Sequence, residues 1–300
     1  MTYHPRMASD ESDLITSREN RWLKRFRGAL SGSGPAESEP IGVEGPKLVE
    51  DALRSGLEAE AVLVSESAEP ALDTIFRAAS VSEAGISRSR ILRTTDKLFA
   101  SVAGTETPQG IAALFRAPEW GFEDILRGAP DENGARSGAS PLVVVMVGVQ
   151  DPGNVGTIVR SAEAFGATGV IAARGTADPW SPKALRASAV SALRLPLLRG
   201  IAIPVLLAQL KMAQVKIIAT TGRGPDSSQA GSRESPCYPD LREASAIFVG
   251  NEGAGLAREV LHSADGTISI PMHPSVDSLN AGVAASIALF EAARQRSGAE

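Results

Sequence analysis

A single cysteine, Cys237, stands in the chain, so an internal disulfide is excluded. The three histidines, His4, His262 and His273, are scattered, no Cys/His cluster has metal-ligand spacing, and no resident metal is expected. Aromatic residues make up 4% of the chain against 43% hydrophobic residues in all, so aliphatic side chains must fill the core. No apolar run approaches the ~20 residues of a membrane span, and the polar stretch 1–13 lacks the apolar centre of a signal peptide. These absences point to a reduced, cytoplasmic setting away from membranes. Two nucleotide motifs are missing as well. There is no G-x-x-x-x-G-K-[ST], and the glycines at 250, 253 and 255 are not spaced as G-x-G-x-x-G. Nucleoside triphosphate and nicotinamide chemistry thereby lose their main support.

The net charge of −5 is unfavourable for a polyanionic partner, but its distribution is uneven. Between Arg18 and Arg27 five basic residues face one acid, Glu19, and between Arg174 and Arg199 five face Asp178. Phosphate neutralisation is local, so such patches can bind nucleic acid on an acidic chain. The bland alternative is a pair of solvated helix faces.

Residues 1–13 are expected to form a disordered tail. Leu14 to Leu30 reads as one basic amphipathic helix with Leu14, Trp22, Leu23, Phe26 and Leu30 on its apolar side. A Gly/Ser/Pro/Glu loop, 31–40, follows. Short strands are expected at 41–44, 61–64, 90–93 and 110–115, alternating with helices that start at Pro46, run from Leu72 to Ala79, and run from an Asp96 cap to Ala103. That alternation makes a small α/β domain over 14–116. The Gly/Ser/Ala/Asp/Pro-rich stretch within 117–141 reads as a linker. A second domain, 142–300, opens with the apolar run Leu142 to Val149, suited to a central strand covered on both faces. Helices are expected at 154–165, 181–193, 204–215 and 278–296, and strands at 169–173, 216–220, 246–249 and 267–270. A polar loop spans 222–239. The pattern predicts an open parallel sheet with helices on both faces, whose ligands gather at the strand C-termini.

Three segments of the second domain carry polar residues at strand ends. In Asp151-Pro152-Gly153-Asn154-Val155-Gly156-Thr157-Ile158-Val159-Arg160, Asn154 can cap the helix and Arg160 lies off its apolar stripe. In Gly250-Asn251-Glu252-Gly253-Ala254-Gly255, glycines permit close backbone approach to a ligand. Glu252 there is either a surface charge or a group that fixes the loop or orients a neighbour. In Ile268-Ser269-Ile270-Pro271-Met272 and the following Ser278-Leu279-Asn280, Ser278 or Asp277 can cap the last helix. Asn280, expected inside the first turn, must earn its place by hydrogen bonding.

In this order the three segments resemble the signature motifs of the SpoU (TrmH-type) RNA ribose 2′-O-methyltransferases of the SPOUT class. The resemblance covers about residues 142–296 and includes Ser181-Pro182-Lys183-Ala184-Leu185-Arg186-Ala187-Ser188, similar to a recurrent family helix. Ile15-Thr16-Ser17 through Leu30, Val43-Glu44-Gly45-Pro46-Lys47-Leu48-Val49 and Thr107-Pro108-Gln109-Gly110 resemble the ribosomal-protein-like substrate-binding domain often fused to that family. The resemblance implies an α/β SPOUT domain with a deep trefoil knot and S-adenosylmethionine as methyl donor. It implies Thr220, Gly250, Ile270, Met272 and Leu279 as the donor site. It assigns Arg160 to catalysis, with Asn154 and Glu252 orienting it or the substrate and Ser278 and Asn280 lining the acceptor pocket. It further implies a homodimer, with each site completed at the subunit interface and Glu252 positioning the arginine across it, acting on RNA, first 23S rRNA and alternatively tRNA. A non-catalytic RNA-binding homologue and an unrelated small-molecule α/β enzyme are the competing classes. Where the family commonly has Val-Ser-Val-Ala after Asn280, this chain has Ala281-Gly282-Val283-Ala284. Gly282 in a helix interior would cost about 1 kcal/mol relative to Ala.

Overall fold

The computed structural model describes residues 14–32, 39–79, 90–128, 138, 140–221, 238–273, 275–276 and 278–298. The expected tail 1–13, most of the loops 31–40 and 222–239, most of the Gly-rich stretch 128–141 and Asp277 lie outside the described residues. The chain divides into two compact units, Met1–Ala117 and Pro118–Glu300.

The first unit holds strands β1 (Leu14–Ile15), β2 (Ile41–Glu44), β3 (Ala59–Ser65), β4 (Arg90–Thr94) and β5 (Ile111–Phe115). Its helices are α1 (Arg21–Leu30), α2 (Pro46–Arg54), α3 (Glu69–Ala78) and α4 (Asp96–Ala100). The sheet order is β1-β4-β3-β5-β2, with β5 antiparallel to both its neighbours and β4 parallel to β1 and β3. Two expectations are corrected here. The N-terminal helix does not begin at Leu14. That residue is exposed and Ile15 pairs in a strand with Thr94, while Asn20 caps α1 by accepting from the Trp22 N–H at 2.8 Å. Only Leu23, Phe26 and Leu30 of α1 are fully buried, against Leu63, Leu92 and Leu114 of the sheet. The cap of α4 is Thr95, whose hydroxyl accepts from the Leu98 N–H, and the helix stops at Ala100 rather than Ala103. Asp96 instead accepts from the Ser67 hydroxyl at 2.7 Å.

The second unit holds β6 (Leu142–Met146), β7 (Gly169–Ala173), β8 (Leu197–Ile201), β9 (Lys216–Thr221), β10 (Ser245–Val249) and β11 (Gly266–Ser269). Its helices are α5 (Phe122–Arg127), α6 (Pro152–Ala164), α7 (Pro182–Ser188), α8 (Ser191–Arg194), α9 (Ile203–Met212), α10 (Arg258–Ser263) and α11 (Ala281–Ser297). The sheet runs β11-β9-β10-β6-β7-β8 and every neighbouring pair is parallel. β6, β7 and β10 are buried along their whole length, as their unbroken apolar runs require. The sheet is thus the doubly covered α/β architecture expected.

Its local departures have physical causes. Within the stretch read as linker, α5 buries Ile125 against β7. The single helix expected at 181–193 is broken into α7 and α8, because Ala189 (φ 47°) and Val190 (φ 57°) turn left-handed between them. Strand β8 and helix α10 are additions to the expected elements. At the far end of α11, Arg296 turns inward and donates to the carbonyls of Leu241, Ser140, Pro141 and Glu243. It ties the last helix to the chain entering β6 and β10. Among the described residues, no helix is long and apolar enough to cross a membrane.

Candidate active site

The sheet's order reverses between β6 and β10, and the segments leaving β9, β10 and β11 converge at their C-terminal ends. Between them lies a cleft of about 850 Å³, its open mouth included. All five residues expected to hold a donor, Thr220, Gly250, Ile270, Met272 and Leu279, line it, as do Glu252 and Ser278.

The Gly-rich segment after β10 is folded by a residue to which the sequence assigned no role. Asn251 accepts from the Gly253 and Ala254 N–H groups, both at 2.9 Å, and donates its amide to the Gly148 carbonyl at 2.8 Å. Its backbone pairs with that of Gly255. Gly250 is packed so closely on this turn that a Cβ would sit 2.4 Å from the Gly255 carbonyl carbon. Only glycine admits that contact.

At the mouth of the cleft three expected residues meet. Asn280 donates its amide to the Asn154 side-chain oxygen at 2.8 Å, and Asn154 donates to Glu252 at 2.9 Å. The second Glu252 oxygen accepts from the Gln150 N–H at 3.4 Å. Partial burial works against the Glu252 carboxylate. Hydrogen bonds from Asn154 and from the backbone of Glu252, Gln150 and Asp151 outweigh it and hold its pKa below the ordinary glutamate value.

This hydrogen-bonded chain exists because neither asparagine plays the part the sequence suggested. The cap of α6 is Asp151, which accepts from the Gly153 N–H at 3.1 Å with Pro152 at the first helical position. Asn154 is therefore free to reach across to Glu252. The cap of α11 is Asn280 rather than Ser278 or Asp277, its oxygen accepting from the Gly282 and Val283 N–H groups. Ser278 is exposed on the cleft wall. Gly282 is consequently a first-turn residue and escapes the full interior penalty. A Cβ on it would come within 3.0 Å of the Thr157 methyl and 3.1 Å of the capping Asn280 oxygen. A hydrogen-bonded pair one turn on, Ser161 with Ser286 at 2.7 Å, joins α6 to α11, and Ser286 also donates to the Gly282 carbonyl.

Arg160 is not drawn into this network. It is exposed on α6, does not line the cleft, and has no hydrogen-bond or ion-pair partner among the described residues. Two further residues, one beside the cleft and one in its wall, escaped the sequence reading. Gln150 anchors its loop by donating to the Gly148 and Gly175 carbonyls. Thr221 lines the cleft with a buried hydroxyl that no described group satisfies, whereas its neighbour Thr220 donates its hydroxyl to the Phe248 carbonyl at 2.9 Å. Apolar walls from Val249, Ile270 and Leu279, an unsatisfied hydroxyl and a carboxylate at the mouth fit a flat heteroaromatic group joined to a cationic centre.

Comparison with known proteins agrees with that chemistry. The profile of the SpoU rRNA Methylase family matches residues 141–290, and that of the MRM3-like substrate binding domain matches residues 36–113. The chain is similar to the 23S rRNA (guanosine(2553)-2′-O)-methyltransferase RlmP of Bacillus subtilis, at 30% identity over 92% of this chain and 97% of the relative. It is 33% identical to the 23S rRNA (guanosine-2′-O-)-methyltransferase RlmB of Xanthomonas campestris, over 70% of this chain and 79% of the relative. The crystal structure of an AdoMet-bound rRNA methyltransferase from Sinorhizobium meliloti resembles it with a TM-score of 0.70 at 26% identity, covering 94% of this chain and 97% of that one.

Proposed function

The chain belongs to the SpoU rRNA methylase family, and we propose that it transfers a methyl group from S-adenosylmethionine to a ribose 2′-hydroxyl of 23S rRNA. The observation that carries this reading is the convergence of all five donor residues on one cleft whose mouth holds the Asn280–Asn154–Glu252 chain. Thr220, Gly250, Ile270, Met272 and Leu279 would hold the donor, with the Thr221 hydroxyl as a further contact. When bound, the donor supplies an activated methyl on a sulfonium.

The protein's own contribution is alignment and charge. Holding nucleophile and methyl carbon in line is worth roughly 7–11 kcal/mol. The charge of the Glu252 carboxylate suits a guanidinium. An arginine is cationic throughout the working range, so the role proposed for Arg160 is to bind the phosphate beside the reacting ribose and stabilise the developing alkoxide. Asn154 and Asn280 are positioning residues that fix the Glu252 carboxylate. Ser278, on the cleft wall, would line the acceptor pocket.

Because Arg160 lies outside the cleft of its own chain, we assign it to the cleft of a second copy in a homodimer. On α11, Val283 and Phe290 are 47% and 55% exposed, and Phe290 meets Phe165, just past the end of α6, edge-on with centroids 6.0 Å apart. An apolar strip of this kind on the helix pair that carries Arg160 supports that pairing. A deep trefoil knot in this domain is proposed on the family membership. The 14–116 domain is proposed to bind the RNA, and the whole to work in the cytoplasm.

The test is methylation of total RNA with labelled S-adenosylmethionine, followed by mapping. Label is expected at one ribose of 23S rRNA. Arg160→Ala is expected to abolish it while calorimetry still detects donor binding. Label confined to tRNA would overturn the substrate assignment, and full turnover by Arg160→Ala would remove that residue from the mechanism.

A further inference from the structure

The first unit gathers three guanidinium groups around one indole. The Arg25 carbon Cζ lies 4.9 Å from the Trp22 ring centroid, that of Arg90 at 5.7 Å and that of Arg21 at 5.8 Å. Arg21, Trp22 and Arg25 come from α1 and Arg90 from the first position of β4. The ring is only partly buried, because the core beneath is filled by Leu23 and Phe26 on the adjoining face of the helix. Of the three arginines, Arg25 pairs with a carboxylate, Glu60, at 2.7 Å. Neither Arg21 nor Arg90 has such a partner among the described residues. Arg18 and Arg27 extend the same helix region with exposed positive charge, and Lys24 there is neutralised by Glu19 as Arg25 is by Glu60.

Packing three like charges within about 6 Å of one ring on a chain of net charge −5 is a local excess that mutual repulsion disfavours. The indole quadrupole and the Glu60 carboxylate on Arg25 compensate part of it, and an anion at Arg21 and Arg90 compensates the rest. A simple anion would need no aromatic ring. An unpaired nucleotide uses both features, its base stacking on indole or guanidinium planes while its phosphates meet the charges.

We propose that this face of α1, with Arg90, is a binding site for single-stranded RNA, Trp22 and the guanidinium planes stacking an unpaired base and Arg21 and Arg90 engaging the flanking phosphates. The proposal rests on the RNA reading above and adds to it a face and a mode of recognition. It also accounts for the conflict between an acidic chain and a polyanionic substrate: the positive charge is concentrated where one strand touches.

The full-length protein is titrated with a fluorescently labelled single-stranded RNA decamer and with a blunt duplex of equal length, across a range of salt. Three proteins are compared: wild type, Trp22→Leu, and the double variant Arg21→Gln/Arg90→Gln. The double variant changes two exposed side chains and leaves the core intact, so it is expected to fold. It should weaken decamer binding and reduce the salt slope by about 1.4, at roughly 0.7 for each phosphate no longer neutralised. Trp22→Leu should weaken the decamer roughly 10-fold, within the range for removing one stacking partner, with little change for the duplex. Unchanged affinity and salt slope in both variants, while the wild type still binds and methylates RNA, overturns this site and leaves the enzyme assignment standing. Equal weakening on decamer and duplex overturns the stacking mode. Failure of the wild type to bind RNA at all overturns the site together with the RNA reading beneath it.

Discussion

Glu252 is exposed, yet its carboxylate is held by Asn154 on one oxygen and the Gln150 N–H on the other, and its pKa lies below the ordinary value. A lowered carboxylate pKa contributes stability above the unfolded-state value, and that contribution fades as pH falls through the native value. The consequence for activity is that Glu252 stays ionised to a lower pH than an ordinary glutamate. The turnover rate should therefore show no carboxylate inflection between roughly pH 5 and 7. Glu252→Gln keeps an acceptor for Asn154 but removes the charge that would orient an arginine. It is expected to lower kcat by about 10²-fold with donor affinity nearly unchanged, read by single-turnover kinetics beside calorimetry. An acid limb near pH 6 that vanishes in Glu252→Gln would contradict the bonding described. At this scale the sequence was legible in residue identity and less so in role. Asp151-Pro152 already announced a cap followed by a first-turn proline, so the correct helix start was readable there. Near residue 280 it was not: three polar residues within four positions can all cap, and only the direction in which the chain arrives from β11 selects Asn280.

The Gly-rich turn behaves as a single element. Asn251 closes it from within, and Gly250 lets the two limbs touch. Gly250→Ala would force a Cβ into the Gly255 backbone, so the turn must open. The cost of such overpacking is typically about 1–3 kcal/mol, which a unit of this size can absorb. The expected outcome is a folded protein by circular dichroism whose Kd for S-adenosylmethionine rises at least roughly 10-fold, or about 1.4 kcal/mol. Wild-type affinity in this variant would mean that the turn does not shape the donor site. Elements with a strong pattern, such as Leu142–Met146 and Gly169–Ala173, were readable because burial on both faces demands unbroken apolar runs. Strand β8 was not. Leu197-Leu198-Arg199-Gly200-Ile201 sits at the sheet edge, half exposed, and carries neither alternation nor a full apolar run. The break between α7 and α8 was equally hidden, since Ala189 and Val190 are residues whose propensities oppose the left-handed turn they make.

For the molecule as a whole, alternating strands and helices were enough to read two α/β units. The order β11-β9-β10-β6-β7-β8 was not, because its central pairing of β10 with β6 joins segments about a hundred residues apart. The site differs: the family resemblance implied completion at a subunit interface, and within one chain Arg160 stands apart from the cleft that Glu252 borders. A two-fold dimer resolves this if each site takes Glu252 from one copy and Arg160 from the other, since an isologous pairing repeats the exchange at both sites. Arg160→Ala and Glu252→Gln are each expected to be nearly inactive alone. Mixed in equal amounts and allowed to exchange, half of the dimers carry one of each. In such a dimer one site lacks both groups and the other retains both. The mixture should recover about a quarter of wild-type activity. If both residues instead serve the site of their own chain, every site in the mixed dimer lacks one of them and the mixture stays inactive. Phe290→Asp places a charge in the proposed apolar contact and should abolish this recovery when introduced into both variants, with sedimentation reporting monomers. Recovery that survives Phe290→Asp would move the subunit contact away from α11.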